Sequence, residues 1–512
     1  MKHFNSGFIP KFILLCVFAV FIKANGSHMM GADMQYKCLG NGMYKITAKL
    51  YRDCRGIPLN GPTFGVFAGN NGGNSCGNYS LIFNRISIRD VTPICDSLSA
   101  PCNPQNTTSK EGVEEHIYEA IVNFKTTPLS NFWNNSSCCN VTFYVGQCCR
   151  NGAITTGPAG NDFYTTCLIN LCSLDSTQCN SSPSLTNIPI IFHCCNTPYR
   201  YNIGALDSAE NDSLSYKLVG GIGSLPNASV TYTNPFSFDH PLSVYCPGGG
   251  ITCTPNPNAT IPEGFFLDSA NGDMVFTPVK CDEVGIIVVE ITEWRNVSGT
   301  WKMLGKNRRD IQVLFKDCGN NMPPQISGQK THRMCEGDSI CFDILAIDRN
   351  DTSSTSGDTV TLDWNNGIPG ASFTIKNPQS KDKEARFCWV APIGSSRANA
   401  YTFTAHTVDR NCPIKSESYV GFKIYVDQCN TGTNKLSGKT AIRIYPMPVS
   451  SGNFIQLQPE YSGKYEILSI SGQIIYHGRA EITKGIWVPS EVKSGIYSIQ
   501  MESGPRFKIV VD

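Results

Sequence analysis

The chain has 512 residues, a net charge of +1 and only 16% charged residues. That length exceeds one hydrophobic core and predicts roughly three or four domains. No basic cluster is present, which excludes nucleic-acid binding, and no segment reaches the ~18 apolar residues of a membrane helix. With 46 Gly and 30 Pro, the apolar residues fall in short strips between turn-forming stretches, so the expected fold class is all-β.

Lys2, His3 and Lys11 precede an apolar run from Phe12 to Ile22 that ends in Ala24 and Gly26. Residues 1–26 therefore read as a signal peptide, and the mature chain is expected to be extracellular or at the cell surface. Setting Cys16 aside leaves 23 of the 24 cysteines. No Cys-x-x-Cys pair gives zinc spacing, so these are expected to be disulfides made in an oxidising compartment. The odd number implies one free thiol or an intermolecular bond. Connectivity stays open.

Residues 27–198 hold fourteen of the cysteines and read as a Cys-rich β-domain. Tyr44, Ile46, Ala48 and Leu50 alternate with Lys45, Thr47 and Lys49, the period-two pattern of a half-buried strand. Tyr118–Phe124 and Val141–Val145 repeat it. Three vicinal pairs occur at Cys138–Cys139, Cys148–Cys149 and Cys194–Cys195. Neighbours on a strand point to opposite faces, so each pair is expected to bond two different partners.

Residues 199–322 form the next expected domain, with alternation at Ile287, Val289 and Ile291 and a last strand at Ile311, Val313 and Phe315. Asn321-Met322-Pro323-Pro324 then breaks any ladder. Residues 325–430 follow with strands around Phe342, Phe403 and Phe422. These two segments read as divergent copies. Ala205-Leu206-Asp207 with Asp212-Ser213-Leu214 matches Ala346-Ile347-Asp348 with Asp358-Thr359-Val360, and each copy closes on a strand and a cysteine. The period suggests tandem immunoglobulin- or cadherin-like sandwiches.

A polar stretch separates residues 439–512, expected as a small cysteine-free β-sandwich. It opens with Ile442-Arg443-Ile444-Tyr445-Pro446-Met447-Pro448. Ile467-Leu468-Ser469-Ile470-Ser471-Gly472-Gln473 follows, then Gly495-Ile496-Tyr497, then Phe507-Lys508-Ile509-Val510-Val511. This order resembles the type A C-terminal sorting domain of type IX secretion cargo, with Met447 where that family carries Asn. The resemblance assigns the sorting motif to Tyr445, Pro446, Pro448, Gly472, Gly495, Tyr497 and Lys508. It implies export to the periplasm, engagement of the type IX translocon, cleavage, and attachment to surface lipopolysaccharide.

Ser27-His28-Met29-Met30-Gly31-Ala32-Asp33, Tyr51-Arg52-Asp53-Cys54, Cys148-Cys149-Arg150-Asn151 and Tyr201-Asn202-Ile203-Gly204-Ala205 make up a second, looser likeness. Together they resemble repeat-built surface proteins of gliding Gram-negative bacteria.

Chemistry-bearing patterns are sparse. Eight histidines are scattered, and neither HExxH nor GxSxG occurs. Glu114-Glu115 is a carboxylate pair without a recognisable partner set, so no catalytic residues are assigned and an enzyme is not expected. Asp207, Asp212, Asp348 and Asp358 recur at the sandwich copies and offer oxygen ligands of the kind calcium takes. Aspartate is also a common turn residue, and that reading is favoured. The expected function is an adhesin-like surface protein with residues 27–198 as its presenting head, directed at glycans or at host or neighbour-cell surfaces. The alternatives are a purely structural stalk or an extracellular hydrolase.

Overall fold

The computed structural model describes residues 29–512 except 60, 70–73, 103–106, 134, 174–178, 208–211, 320, 350–358, 430–442, 459–461, 471, 483 and 503–505. The expected signal peptide, the linker before residue 439 and Asp358 lie outside the described residues. The chain forms two units, Met1–Gln428 and Cys429–Asp512. Among the described residues it is all-β, with no α-helix.

In the first unit, Met43–Asp53 lies between Met29–Gly40 and Val113–Asn123, all antiparallel. Its alternation works as the sequence implies, with Ile46, Ala48 and Leu50 fully buried and Lys45 and Lys49 outward. The sheet continues on one side to Asn84–Asp90. On the other it runs through Thr300–Lys316, Phe163–Asn170, Asn140–Gln147 and Thr63–Gly69 to Gly77–Ser80. Its N-terminal strands wrap over one core, so that Phe64 on one wing meets Tyr118 on the other, ring centroids 5.3 Å apart.

Thr300–Lys316 is the strand that organises this unit. One edge pairs with Val284–Val297. Its other edge pairs in turn with Cys167–Ile169, with Gly31–Asp33 and, in parallel, with Phe192–Cys194. Strands from both segments expected as separate bodies, 27–198 and 199–322, thus share one sheet of fourteen strands. The polar stretch Lys306–Asp310 carries no apolar alternation, and buried ion pairs hold it instead. Arg309 donates to Asp33 at 2.7 and 3.1 Å, to the Asn187 carbonyl at 2.6 Å and to the Tyr201 hydroxyl at 2.7 Å. Arg150 grips Asp310 with bonds of 3.0 and 2.6 Å. At Gly31 a Cβ would stand 2.6 Å from the Asp310 carbonyl, so only glycine lets the strands approach. The distant sequence motifs that contain Gly31, Asp33, Arg150 and Tyr201 therefore meet at one buried network.

The two sandwich copies share a topology. In the second copy Ser339–Ile347, Lys383–Val390 and Ser372–Ile375 make one layer with Gln325–Ser327. Thr331–Cys335, Glu417–Asp427, Tyr401–Val408 and Thr361–Trp364 make the other. The first copy repeats this with Tyr199–Asn202, Asp273–Phe276 and Phe266–Leu267 against Phe192–Cys194, Thr300–Lys316, Val284–Val297 and Ser213–Leu218. Even the parallel pair recurs: Phe192–Cys194 beside Thr300–Lys316 corresponds to Thr331–Cys335 beside Glu417–Asp427. Stacked aromatics fill both interiors. Tyr199, Phe276 and Phe265 lie 4.5 and 4.6 Å apart, and Phe387, Phe403 and Phe422 lie 4.5 and 5.0 Å apart. Each such contact adds about 0.5–1.5 kcal/mol beyond area burial.

Disulfides stitch the thinner parts. Cys138 and Cys139 bond Cys76 and Cys172, and Cys194 and Cys195 bond Cys318 and Cys281, so each of these neighbours has a different partner. Cys148 and Cys149 bond each other instead. They lie just past the end of the Asn140–Gln147 strand. Cys95–Cys412 spans 317 residues and ties the N-terminal lobe to the second sandwich, where Lys415 also meets Asp96 at 2.6 Å. Among the described cysteines Cys167 alone is free, and it is buried.

The second unit has two small sheets. Arg443–Tyr445, Asn453–Gln458 and Ile486–Val488 form one; Ile474–Ala480, Gly463–Leu468, Gly495–Met501 and Arg506–Val511 form the other. Ile455, Tyr465, Ile467, Ile499 and Ile509 are buried between them.

Candidate functional site

Asp207 follows the short strand Ala205–Leu206, and Asp212 sits just before Ser213–Leu218. The fold brings both to Glu293 on Val284–Val297, with ligand oxygens of all three within 4.8 Å of one another. Two residues further along that strand, Arg295 reaches Asp212 through Nε at 2.6 Å and Nη2 at 2.5 Å, and its Nη2 also donates to Asn180 Oδ1 at 2.7 Å. The Asn180 amide donates in turn to Glu293 at 2.7 Å and to the Tyr36 hydroxyl at 3.1 Å. Burial raises the Asp212 pKa, Arg295 opposes the rise, and the neighbouring Asp207 charge reinforces it. Burial, with the Glu293 charge behind it, pushes Tyr36 well above the usual phenol range. Asp207, Asp212 and Glu293 are the oxygens that would hold calcium. Arg295 already supplies a positive charge at the same place.

Asp348 does not join them. It lies buried beside Asp409, whose carboxylate accepts the Ser416 and Asn411 amides at 2.8 and 3.1 Å and Asn321 Nδ2 at 3.0 Å. Burial, aided by the Asp348 charge, pushes Asp409 up to about 6.

The carboxylate pair Glu114-Glu115 is divided by its strand. Glu114 bonds Arg52 at 2.8 Å and His116 at 3.0 Å on one face; on the other Glu115 accepts the Tyr51 hydroxyl at 3.0 Å and pairs with Arg89. Each is engaged in structure, and the two do not face a common substrate position.

A cavity of about 210 Å³ opens between the two sandwich copies, lined by Asn202, Asp207, Asp212, Asn271, Asn365 and Arg397. A second, of about 460 Å³, opens between the outer face of the N-terminal sheet and the Leu206–Asp207 turn. Sequence reading found Asp207 and Asp212 but missed Glu293, Arg295 and Asn180. The available signal was Glu293-Trp294-Arg295, which interrupts the apolar alternation of Ile287, Val289 and Ile291.

In the second unit the residues that the sorting-domain resemblance names fall on strand ends, turns and an outer face. Tyr445 ends its first strand, and Pro446 and Pro448 follow. Val449 N–H then donates to the Val510 carbonyl at 2.9 Å, Val510 N–H donates to Met447 Sδ at 3.2 Å, and Asp512 N–H returns to the Val449 carbonyl at 3.1 Å. The opening motif is thereby joined to the last strand. Gly472 turns at φ +84°, a left-handed value that favours glycine. Gly495 opens the Gly495–Met501 strand, Tyr497 donates its hydroxyl to the Lys493 carbonyl at 2.9 Å, and Lys508 points outward opposite Ser498.

No protein family and no curated protein matches the sequence. Three solved structures give remote likenesses. The sialic-acid-binding region of a Streptococcus sanguinis adhesin is 12% identical, with a TM-score of 0.18 over 94% of this chain and 97% of that one. An ICAM-5 D1–D4 ectodomain fragment is 8% identical, at 0.15 over 94% and 99%. The major pilin subunit of Bacillus cereus is 11% identical, at 0.16 over 62% and 95%. At these scores none of them fixes a fold or a ligand, and the sandwich architecture stands on the strands themselves.

Proposed function

We propose that this protein is an extracellular, adhesin-like binding protein, exported by a type IX secretion system through residues 439–512 and carrying its binding surface on the N-terminal lobe, residues 27–198. The observation that carries the reading is the contrast between the two parts. Residues 29–428 are a β-body locked by disulfides, which form in oxidising surroundings. Residues 439–512 contain no cysteine, and there the opening motif closes on the final strand. An export signal at the end of an oxidised cargo needs this independence, because it must fold whatever the redox state of its passenger. Glu114, Glu115 and Asp212 are engaged in ion pairs and hydrogen bonds, which favours binding over turnover at these positions.

The export half is tested by fusing residues 430–512 to a periplasmic reporter. Appearance of the reporter outside a type IX-competent host, and its retention in a translocon-deficient one, supports the assignment. Retention in both contradicts it. The binding half is tested by presenting the full secreted chain to arrayed glycans and to cell surfaces. Binding that depends on the N-terminal lobe supports it, and binding to nothing leaves a spacer.

A further inference from the structure

The outer face of the N-terminal sheet carries a three-by-three grid fixed by strand register. Asp33, Gln35 and Lys37 stand opposite Lys49, Thr47 and Lys45. Those in turn stand opposite Ile117, Glu119 and Ile121. Asp33 is taken up by Arg309. Lys37 and Lys45 face each other directly, and like charges in that position destabilise a sheet. Glu119 offsets Lys45 at 2.9 Å, and Lys49 donates to the Leu185 carbonyl at 3.0 Å. Lys37 is exposed and has no partner among the described residues. Gln35, Lys37, Lys45, Thr47, Lys49, Ile117 and Glu119 of this grid floor the 460 Å³ groove, whose opposite wall is Ser181, Ser182 and Ser184 with Leu206 and Asp207. Asp207 on that wall accepts the backbone N–H of Asp212.

We infer that this groove binds an acidic polysaccharide, with the Lys37 and Lys45 ammonium groups taking a sugar carboxylate. The inference rests on the adhesin reading and names its ligand class. Gln35 accepts the Leu185 N–H through Oε1, which leaves its amide N–H₂ to donate to sugar hydroxyls. Ile117, half-buried in the groove floor, offers an apolar patch for the carbon face of a pyranose. Nucleic acid does not fit, because the one aromatic ring lining the groove, Tyr36, is buried and no base can stack on it. A peptide strand does not fit either. The floor is the face of a sheet whose backbone groups are already paired, not an open edge.

The test uses the full secreted chain, a galacturonic acid hexamer as the acidic probe and a maltohexaose as the neutral one, by calorimetry. The expected result is binding of the uronate only, weakening as salt rises. Lys37→Ala/Lys45→Ala should stay folded and bind about tenfold more weakly. If the double variant misfolds, Lys37→Met alone, at an exposed position, should still weaken binding. Equal binding of both hexamers, or undiminished uronate binding by the variants, overturns the inference. Cell or glycan binding that ignores Lys37 and Lys45 refutes the groove while leaving the adhesin reading intact. A chain that binds no glycan and no surface refutes both.

Discussion

Arg309 donates two hydrogen bonds to a single carboxylate oxygen of Asp33, a residue 276 positions earlier in the chain. Both side chains are buried, at 1% and 0% exposure. A buried pair of this kind adds little over a well-packed apolar pair, but removing one partner strands a charge and costs about 3–5 kcal/mol. Asp33→Ala is therefore expected to lower unfolding free energy in urea by about that amount, and Asp33→Leu/Arg309→Met to recover much of it. Equal losses in the single and double variants would show that the pair does not act as a unit.

The same pair explains what was legible in the sequence. Short-range alternation placed the strands around Ile46, Val289 and Phe422, and the motif matches identified the two sandwich copies that the topology repeats. Which strands share a sheet was not legible. Residues 306–310 carry no apolar alternation to mark them as strand, because the side chains that hold them, Asp33 and Arg150, lie 276 and 160 positions away from their partners. Glu293 and Arg295 were missed for the same reason: their meaning comes from Asp207, Asp212 and Asn180, which only the fold brings near. Asp207 and Asp212 were legible as a cluster because they are close in sequence. The separation of Asp348 from them was not.

Cys167 is expected to be the single free thiol of the secreted chain. Burial, with the Glu293 and Asp33 charges behind it, raises its pKa well above the usual thiol range. Native protein should take up no alkylating reagent, and denatured, unreduced protein should take up one equivalent by intact mass. More than two equivalents would contradict the disulfide pattern.

Two buried groups make opposite contributions to acid stability. Asp409 titrates at about 6 when folded and near 4 when unfolded, so its contribution is complete below ~4 and is lost as pH rises through 6. His193, buried, titrates at about 4 when folded and near 6.5 when unfolded, so its contribution is present above ~6.5 and is lost as pH falls through 4. Each amounts to roughly 3 kcal/mol at full extent, and they offset each other across the same window. Asp409→Asn should therefore lose melting temperature more steeply than the parent between about pH 6.5 and 4.5. Parallel curves would rule out the balance.

Arg295 acts as the counter-ion of the Asp207, Asp212 and Glu293 cluster. Calcium is expected to leave the melting temperature of the parent protein unchanged. Arg295→Ala should be destabilised by about 3 kcal/mol and should regain part of that loss in millimolar calcium, since a ligand of the folded state stabilises it by mass action. A parent protein whose melting temperature falls on chelation would instead make the cluster a resident calcium site.

The central claim, that residues 439–512 deliver a separately folded, oxidised cargo to the outside, is tested most directly by deleting them. The measurement is cell fractionation with protease accessibility, comparing full-length and truncated chains in a type IX-competent host. The truncated chain is expected in the periplasm, folded, disulfide-bonded and shielded from external protease, while the full-length chain reaches the surface or the medium. A truncated chain that still appears outside would contradict the account and reduce the C-terminal unit to one more β-module.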